Sequence, residues 1–336
     1  MPTCKSGDVK SALVCGVSGQ DGAYLAKLLC DRNYRVIGTT RDVSDANLFR
    51  LEALGIAGAV EPIELDLGDF SATLAILSET QPDEVYALAS QSSVGRSFEA
   101  PDETLTSIVQ GTQNLLEALR MIGPGPRLFH ASSSECFGDL NGVAARENTP
   151  FRPRSPYGAA KAWAHHMVAT YRESYGLFMA NGILFNHESP LRSARFVTRK
   201  VTQAARRIAS GRAERLQLAR VDVVRDWGWA PEYVEAMWLM LQQSEPEDFV
   251  LATGESRPLS DFVAAAFAAL GLDWRDHVDS QPARGRPSDP VWSGGDPSRA
   301  AEELGWRAHT LMPQVARLMA ESEAMADEAE ELARAD

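Results

Sequence analysis

The sequence predicts an α/β fold, a doubly wound Rossmann-like parallel sheet with a smaller C-terminal substrate-binding domain. Two observations carry that reading. Short apolar runs alternate with helical patterns through the first half of the chain, and a glycine-rich segment joins the first apolar run to the first helical pattern. Strands that alternate with helices form βαβ units, whose sheet is parallel and covered on both faces.

In chain order, residues 11–15 (SALVC) read as a buried strand and 23–33 as a helix. Strands follow at 35–39, 61–65 and 84–88, then a long amphipathic helix at 104–121 and a strand at 127–131. A second long helix covers 157–175 and a strand covers 179–184. Beyond that, 190–225 is rich in arginine and mixed in pattern, while 233–243 and 259–270 read as helices, the latter with Ser260 as its cap. Residues 281–297 hold four prolines and three glycines and read as a loop. The last helix begins near Pro313 and runs into an acidic, solvated tail. We expect a cofactor domain over 1–188 to which 226–254 returns, and a substrate domain built from 189–225 and 255–336.

Composition narrows the function. A chain of 336 residues exceeds one minimal core. Its net charge of -13 argues against nucleic acid as a partner, because phosphate backbones need a basic face. A small phosphorylated ligand stays open, since a few arginines in a cleft suffice. Cys4, Cys15, Cys30 and Cys136 form no CxxC or Cys/His cluster, so no metal is expected. Cys15 and Cys30 lie in apolar segments and are expected to be buried thiols. The opening MPTCKSGDVK has no apolar run long enough for a signal peptide and no stretch approaches the ~20 apolar residues of a membrane span, which gives the expectation of a cytoplasmic enzyme.

Two motifs carry chemistry. Gly16-Val17-Ser18-Gly19-Gln20-Asp21-Gly22 lies between the first strand and first helix, where a dinucleotide pyrophosphate meets free helical N–H groups. Arg41 near the end of the second strand suits a 2′-phosphate and favours NADP over NAD, although Asp42 adjoins it, and Asp66-Leu67 would face the adenine. Tyr157 and Lys161 stand one helical turn apart, an arrangement in which an ammonium stabilises a phenolate base. Ser133 can hold the substrate hydroxyl. Glu135 can remove a carbon-bound proton beside a ketone, a step that simple reductases and epimerases do not need.

The stretches GVSGQDGAYLAKLL, ASSSECFG, NTPFRPRSPYGAAK, NGILFNHESPLR, FVTRKVT, RDWG and YVEAMWLMLQ resemble the GDP-mannose 4,6-dehydratases of the extended short-chain dehydrogenase/reductase superfamily over nearly the whole chain. The resemblance implies a GDP-sugar substrate, C4 oxidation, loss of water across C5 and C6, hydride return to C6, and a homodimer or homotetramer. The family's catalytic threonine falls on Ser133, and its glutamate, tyrosine and lysine fall on Glu135, Tyr157 and Lys161. Cofactor contacts fall on Gly16, Gly19, Gln20, Asp21, Gly22, Arg41, Asp66, Leu67, Leu88, Ser90, Ser92, Tyr157, Lys161, His187 and Arg192. Substrate contacts fall on Val94, Asn186, Lys200, Arg225 and Arg286.

Several positions depart from the family pattern. Asp42 replaces an arginine, Glu103 a tyrosine, Ile108 an aspartate and Arg220 an asparagine, and Arg96 adds a charge near the sugar loop. The family's Arg-Pro-x-Glu-Val-Asp becomes Arg286-Pro287-Ser288-Asp289-Pro290-Val291. The chemical set is kept while the substrate shell changes, so GDP-mannose or a modified GDP-sugar is the expected substrate. A nucleotide-sugar epimerase or 4-keto reductase on the same scaffold is the alternative, and a non-catalytic nucleotide-binding subunit a second one.

Overall fold

The computed structural model describes residues 9–280 and 287–322. Seven parallel strands form the main sheet: β1 (Ser11–Cys15), β2 (Arg35–Thr40), β3 (Val60–Glu64), β4 (Glu84–Ala87), β5 (Arg127–Ser133), β6 (Met179–Leu184) and β10 (Phe249–Leu251). Their order is β10-β6-β5-β4-β1-β2-β3. The order reverses between β1 and β4, so the crevice for a ligand opens above the carboxyl ends of those two strands.

Strand alternation explains why both faces are covered. Ala12 and Val14 point to one face, where α1 (Gln20–Asp31) and α9 (Ala230–Met240) supply Leu25, Leu29, Val234 and Met237. Leu13 and Cys15 point to the other, against Leu77 of α3 (Phe70–Thr80), Leu115 and Leu119 of α6 (Gly111–Ile122), and Val168 of α7 (Pro156–Tyr175). A strand buried on both sides has no polar face, which is why these runs are continuously apolar.

The smaller C-terminal part has its own core. β7 (Asn186–Glu188), β9 (Val224–Trp229) and β11 (Ser256–Pro258) form a three-stranded sheet, and β8 (Leu216–Leu218) pairs β12 (Val278–Ser280). Helices α8 (Val197–Ala209), α10 (Leu259–Ala268) and α11 (Met312–Glu321) bury Val201, Phe262, Phe267 and Val315 together with Trp227, whose ring lies 5.7 Å from that of Phe262. Of the stretch 226–254, α9 and β10 pack on the main sheet while β9 belongs to the smaller one.

The structure differs from the sequence reading in four places. The helix expected at 104–121 starts earlier, as α5 (Pro101–Leu105), and passes through a π turn at Thr106–Gln110 before α6. That turn buries Ile108 beside Tyr157, Ala160 and Ala164. The mixed region 190–225 contains α8, whose arginines obscured its apolar stripe. Ser260 does not cap α10. It lies inside the helix behind Pro258, and the first N–H groups are satisfied instead by the carbonyls of Val223 and Val221, both at 2.8 Å. Cys30 is only half-buried, unlike Cys15. Among the described residues no helix is long and apolar enough to cross a membrane, and no cluster of metal-ligating side chains occurs.

Candidate active site

The glycine turn hangs on the tip of β1. Gly16 has a φ of +89°, and a Cβ there would lie 2.9 Å from the backbone of Ala89, so only glycine lets β1 and the end of β4 approach. Gly19 then opens α1 without a side-chain cap, leaving its first N–H groups directed at the crevice.

The end of β5 carries the second half of the site. Ser133 is extended, and its Oγ accepts from Glu135 N at 3.2 Å, which caps the tight turn Ser134–Cys136. Helix α7 begins with Ser155 as its cap, whose Oγ accepts from Gly158 N at 3.0 Å, and with Pro156 in its first turn. A Cβ at Gly158 would stand 2.6 Å from the Glu135 carbonyl oxygen. The bare glycine therefore lets the helix start press against the turn and brings Tyr157 to Glu135.

These segments line an inner cavity of about 340 Å³ that holds Val94, Ser133, Glu135, Tyr157, Lys161, Asn186, His187 and Arg225. An outer cleft of about 560 Å³ is lined by Gly16, Gly19, Gln20, Gly22, Arg41, Asp66 and Leu67. Asp21, Leu88, Ser90, Ser92 and Arg192 line both, so they form the junction. Lys200 is not brought to either wall. Its exposed Nζ donates to the Gln217 carbonyl at 3.3 Å, because position 200 falls off the α8 stripe that buries Val201, Ala205 and Ile208. Arg286 lies outside the described residues.

Burial governs the electrostatics. Lys161 donates to the Ala131 carbonyl at 2.9 Å, and burial lowers its pKa to about 8. Its Nζ stands 6.0 Å from the Tyr157 ring centre. The sequence reading expected that ammonium to depress the phenol pKa. Instead burial raises Tyr157 well above the ordinary phenol, with Ser133 pulling it down and Cys136 and Glu135 adding to the rise. The phenolate needs a further positive charge in the cavity.

A second charged set joins the two compartments. His187 Nε2 lies 2.9 Å from Asp21 Oδ2 and its Nδ1 lies 2.7 Å from the Phe185 carbonyl. Both nitrogens face acceptors, so the ring is an imidazolium. Burial opposes that charge, but Asp21 outweighs it and raises the pKa. Burial likewise opposes ionised Asp21, whose pKa is nonetheless held at about 2 by His187, Gln20 and Arg192. Gln20 completes the tie by donating to the His187 carbonyl at 3.2 Å and accepting from Ser189 Oγ at 2.8 Å. Arg192 Nε is buried without a hydrogen bond, although Glu188 Oε2 is 3.2 Å away. A buried donor at the junction, with the open start of α1 beside it, fits a dinucleotide whose phosphates and ribose cross from cleft to cavity.

Sequence reasoning missed Asp289 as part of the site. It lines the cavity and pairs with Arg225 Nη2 at 2.8 Å. It also missed Arg195 on the cavity wall and Asn47 on the cleft wall. Asp289 stood in the stretch 286–291 that departs from the family pattern, which was its only signal; Arg195 and Asn47 carry none. Two departures from the family pattern meet each other: Arg96 Nη2 pairs with Glu103 Oε2 at 2.9 Å, and Glu103 lines the cleft.

Known proteins share this architecture. The Thermus thermophilus UDP-glucose 4-epimerase, solved with NAD, superposes with a TM-score of 0.81 at 25% identity, covering 95% of this chain and 99% of that one. The Bacillus anthracis dTDP-glucose 4,6-dehydratase, also with NAD, has the same fold, with a TM-score of 0.81 at 18% identity over 93% and 96% of the two chains. In sequence, GDP-mannose 4,6 dehydratase 1 of Arabidopsis thaliana is 43% identical over 94% of this chain and 90% of its own. The GDP-mannose 4,6-dehydratase of Sinorhizobium fredii is 42% identical over 92% and 95%. The family model described as GDP-mannose 4,6 dehydratase matches residues 13–319. A full-length match of this kind, on a chain whose cavity gathers Ser133, Glu135, Tyr157 and Lys161, places the protein in the GDP-mannose 4,6-dehydratase family.

Proposed function

We propose that this protein is an NADP-using dehydratase that converts GDP-mannose, or a closely related GDP-sugar, into its 4-keto-6-deoxy form with loss of one water. The observation that carries the reading is Glu135, a carboxylate in one cavity with Ser133, Tyr157 and Lys161. Hydroxyl, phenol and ammonium suffice to interconvert an alcohol and a ketone. The carboxylate adds removal of a carbon-bound proton, which dehydration requires.

A nicotinamide cofactor, which Asp21, Leu88, Ser90, Ser92 and Arg192 would hold at the junction, would supply hydride acceptance and return together with a positive charge beside the buried phenol. Tyr157 takes the proton of the C4 hydroxyl while Ser133 Oγ holds that oxygen, and Lys161 stabilises the phenolate. The ketone acidifies C5, Glu135 removes that proton, and the same carboxyl protonates the departing C6 hydroxyl. Arg225, steered by Asp289, binds the diphosphate, with Val94 and Asn186 against the sugar and nucleoside. Lys200 and Arg286 keep their assignment to the nucleotide by resemblance alone.

The choice of NADP rests on Arg41, which lines the cleft. Asp42 is turned back onto its own loop, accepting from Ser44 N at 2.8 Å and Ser44 Oγ at 2.9 Å. Replacing Arg41 with Ala is expected to weaken NADP about tenfold and leave NAD unchanged, in line with a charge-assisted contact. Equal weakening of both, measured by cofactor titration, refutes the assignment. We further infer a cofactor domain over 1–188 with 226–254, a substrate domain over the rest, and a homo-oligomer formed through the helical run from α5 to α6 and the long helix α7, which expose Leu105, Met121 and Tyr175.

The test is mass spectrometry of GDP-mannose incubated with the purified protein and catalytic NADP. Loss of one water without net cofactor reduction is expected. An unchanged mass with an inverted sugar, or net consumption of reduced cofactor, would mean an epimerase or a reductase instead.

A further inference from the structure

Arg50 lines neither the cleft nor the cavity, and the steps above do not use it. It stands on α2 (Asp45–Ala53), the helix that follows β2 and Arg41. Its Nη1 donates to the Ser18 carbonyl at 2.9 Å and its Nε to the Leu191 carbonyl at 2.8 Å. Those carbonyls lie 32 and 141 residues away along the chain. The Phe49 ring covers one face of the guanidinium, with its centre 4.4 Å from Cζ. Both acceptors are neutral, so these bonds hold the charge in place without cancelling it. Burial lowers the pKa of Arg50 to about 10, and the neighbouring charges of Arg199 and Arg192 act in the same sense, which leaves the group ionised at neutral pH.

Each of the two carbonyls belongs to a peptide whose other end is fixed as well. In the Ser18–Gly19 peptide, Gly19 N donates to the Gly16 carbonyl at 3.0 Å, within the glycine turn. In the Leu191–Arg192 peptide, Arg192 N donates to the Ser189 carbonyl at 3.1 Å. A peptide is planar, so bonds at both ends set its orientation. The first peptide carries the turn from which the open N–H groups of α1 start. The second carries the backbone from which Arg192 reaches the junction. Ser18 lines the cleft, yet its carbonyl turns to a group outside it, which keeps the negative end of that dipole off a bound phosphate. Gln20, Asp21 and His187 join the same two segments from within the pockets, and Arg50 joins them from outside.

We propose that Arg50 is a positioning residue for the pyrophosphate of the dinucleotide. It holds the glycine turn and the Arg192 backbone in one fixed relation, so that the N–H groups of α1 and the Arg192 guanidinium converge on the same phosphates. A site ordered before the ligand arrives spends less of the binding energy on ordering itself. The guanidinium suits the task because its nitrogens are rigidly spaced, and the two used here direct their N–H bonds to different sides of the plane's axis.

This inference rests on the nicotinamide reading, and the test separates the two. Dissociation constants for NADP and NAD, and for GDP as a probe of the substrate side, are measured on the native protein, Arg50→Met and Arg50→Lys, beside thermal unfolding without cofactor. Methionine keeps the stem and removes the donors. Lysine keeps the charge but has one nitrogen where arginine uses two. Both variants are expected to weaken whichever dinucleotide the native protein binds by about tenfold, the order of one charge-assisted hydrogen bond, and NADP and NAD alike where both bind. That pattern differs from Arg41→Ala, which should weaken NADP alone. GDP binding, and kcat at saturating cofactor, should stay within about twofold of native. A native-like dinucleotide constant in Arg50→Met, even with lowered thermal stability, makes Arg50 a support of the fold and overturns the proposal. Full recovery in Arg50→Lys overturns it too, because charge alone would then suffice, as does an equal loss of GDP binding, which would mean general damage. If Arg50→Met does not fold, Arg50→Lys decides by the same constants. Native protein that binds neither dinucleotide overturns the nicotinamide reading and this inference together.

Discussion

The two walls of the inner cavity are built by opposite rules. One comes from two short neighbouring segments, the end of β5 with its turn and the start of α7, which deliver Ser133, Glu135, Tyr157 and Lys161. The other gathers Asn186, Arg195, Arg220, Arg225 and Asp289 from loops and strands spread along the C-terminal half. The first wall leaves charge costly. Lys161 is buried against a neutral carbonyl, so its ionisation is suppressed. The second neutralises it, since Arg225 meets Asp289 directly. A group that must exchange a proton needs a pKa near the working pH, whereas a group that holds a diphosphate needs permanent charge and a fixed direction.

Substitutions can sharpen or break this contrast. The largest effect belongs to Glu135→Gln, which keeps the turn but not the base. Dehydration should fall about a thousandfold, near the upper range for a general acid–base group, while some C4 oxidation persists. Normal water loss, followed by product mass, would remove Glu135 from the chemistry.

The second effect is thermodynamic. A folded-state pKa of about 8 for Lys161, against 10.5 ordinarily, means that the unfolded chain binds more protons across that window. Stability should therefore rise as pH climbs from about 8 towards 10.5, by up to about 3 kcal/mol in total. Chemical unfolding of the native protein and Lys161→Met at several pH values reads this directly, and the methionine variant should lose that part of the slope. An equal slope in both would show that Lys161 is not the suppressed charge.

On the opposite wall, Arg225→Ala removes the guanidinium that meets Asp289 at 2.8 Å. KM for the GDP-sugar should rise about ten- to hundredfold with a smaller change in kcat, the size expected for losing a charge-assisted contact. A fall in kcat with constant KM would move Arg225 to the chemical wall. The smallest effect is predicted for the exposed pair at the cleft rim, where Arg96→Ala should cost less than about 1 kcal/mol of stability in thermal unfolding.

The same contrast governs what could be read from the chain. Strands β1, β5 and β6 and helix α7 were legible because each is a continuous local pattern: apolar runs buried on both faces, and a Ser-Pro start before a long helix. Helix α8 was not, because Arg199 and its basic neighbours hide a stripe that only α10 and α11 complete. At Lys200, a place in a recognised stretch suggests a nucleotide contact, but which way the side chain turns, here exposed and onto the Gln217 carbonyl, is set by the helix it sits on.

By itself, then, the sequence determined the parallel sheet, the glycine turn and the grouping of Ser133, Glu135, Tyr157 and Lys161, because each depends on residues close together in the chain. Only the tertiary structure decided what those groups experience. Burial raises Tyr157 and lowers Lys161, Asp21 makes His187 an imidazolium, and Asp289 steers Arg225. Each of these is set by desolvation or by a charge far away in sequence, and no local pattern encodes a distance in space.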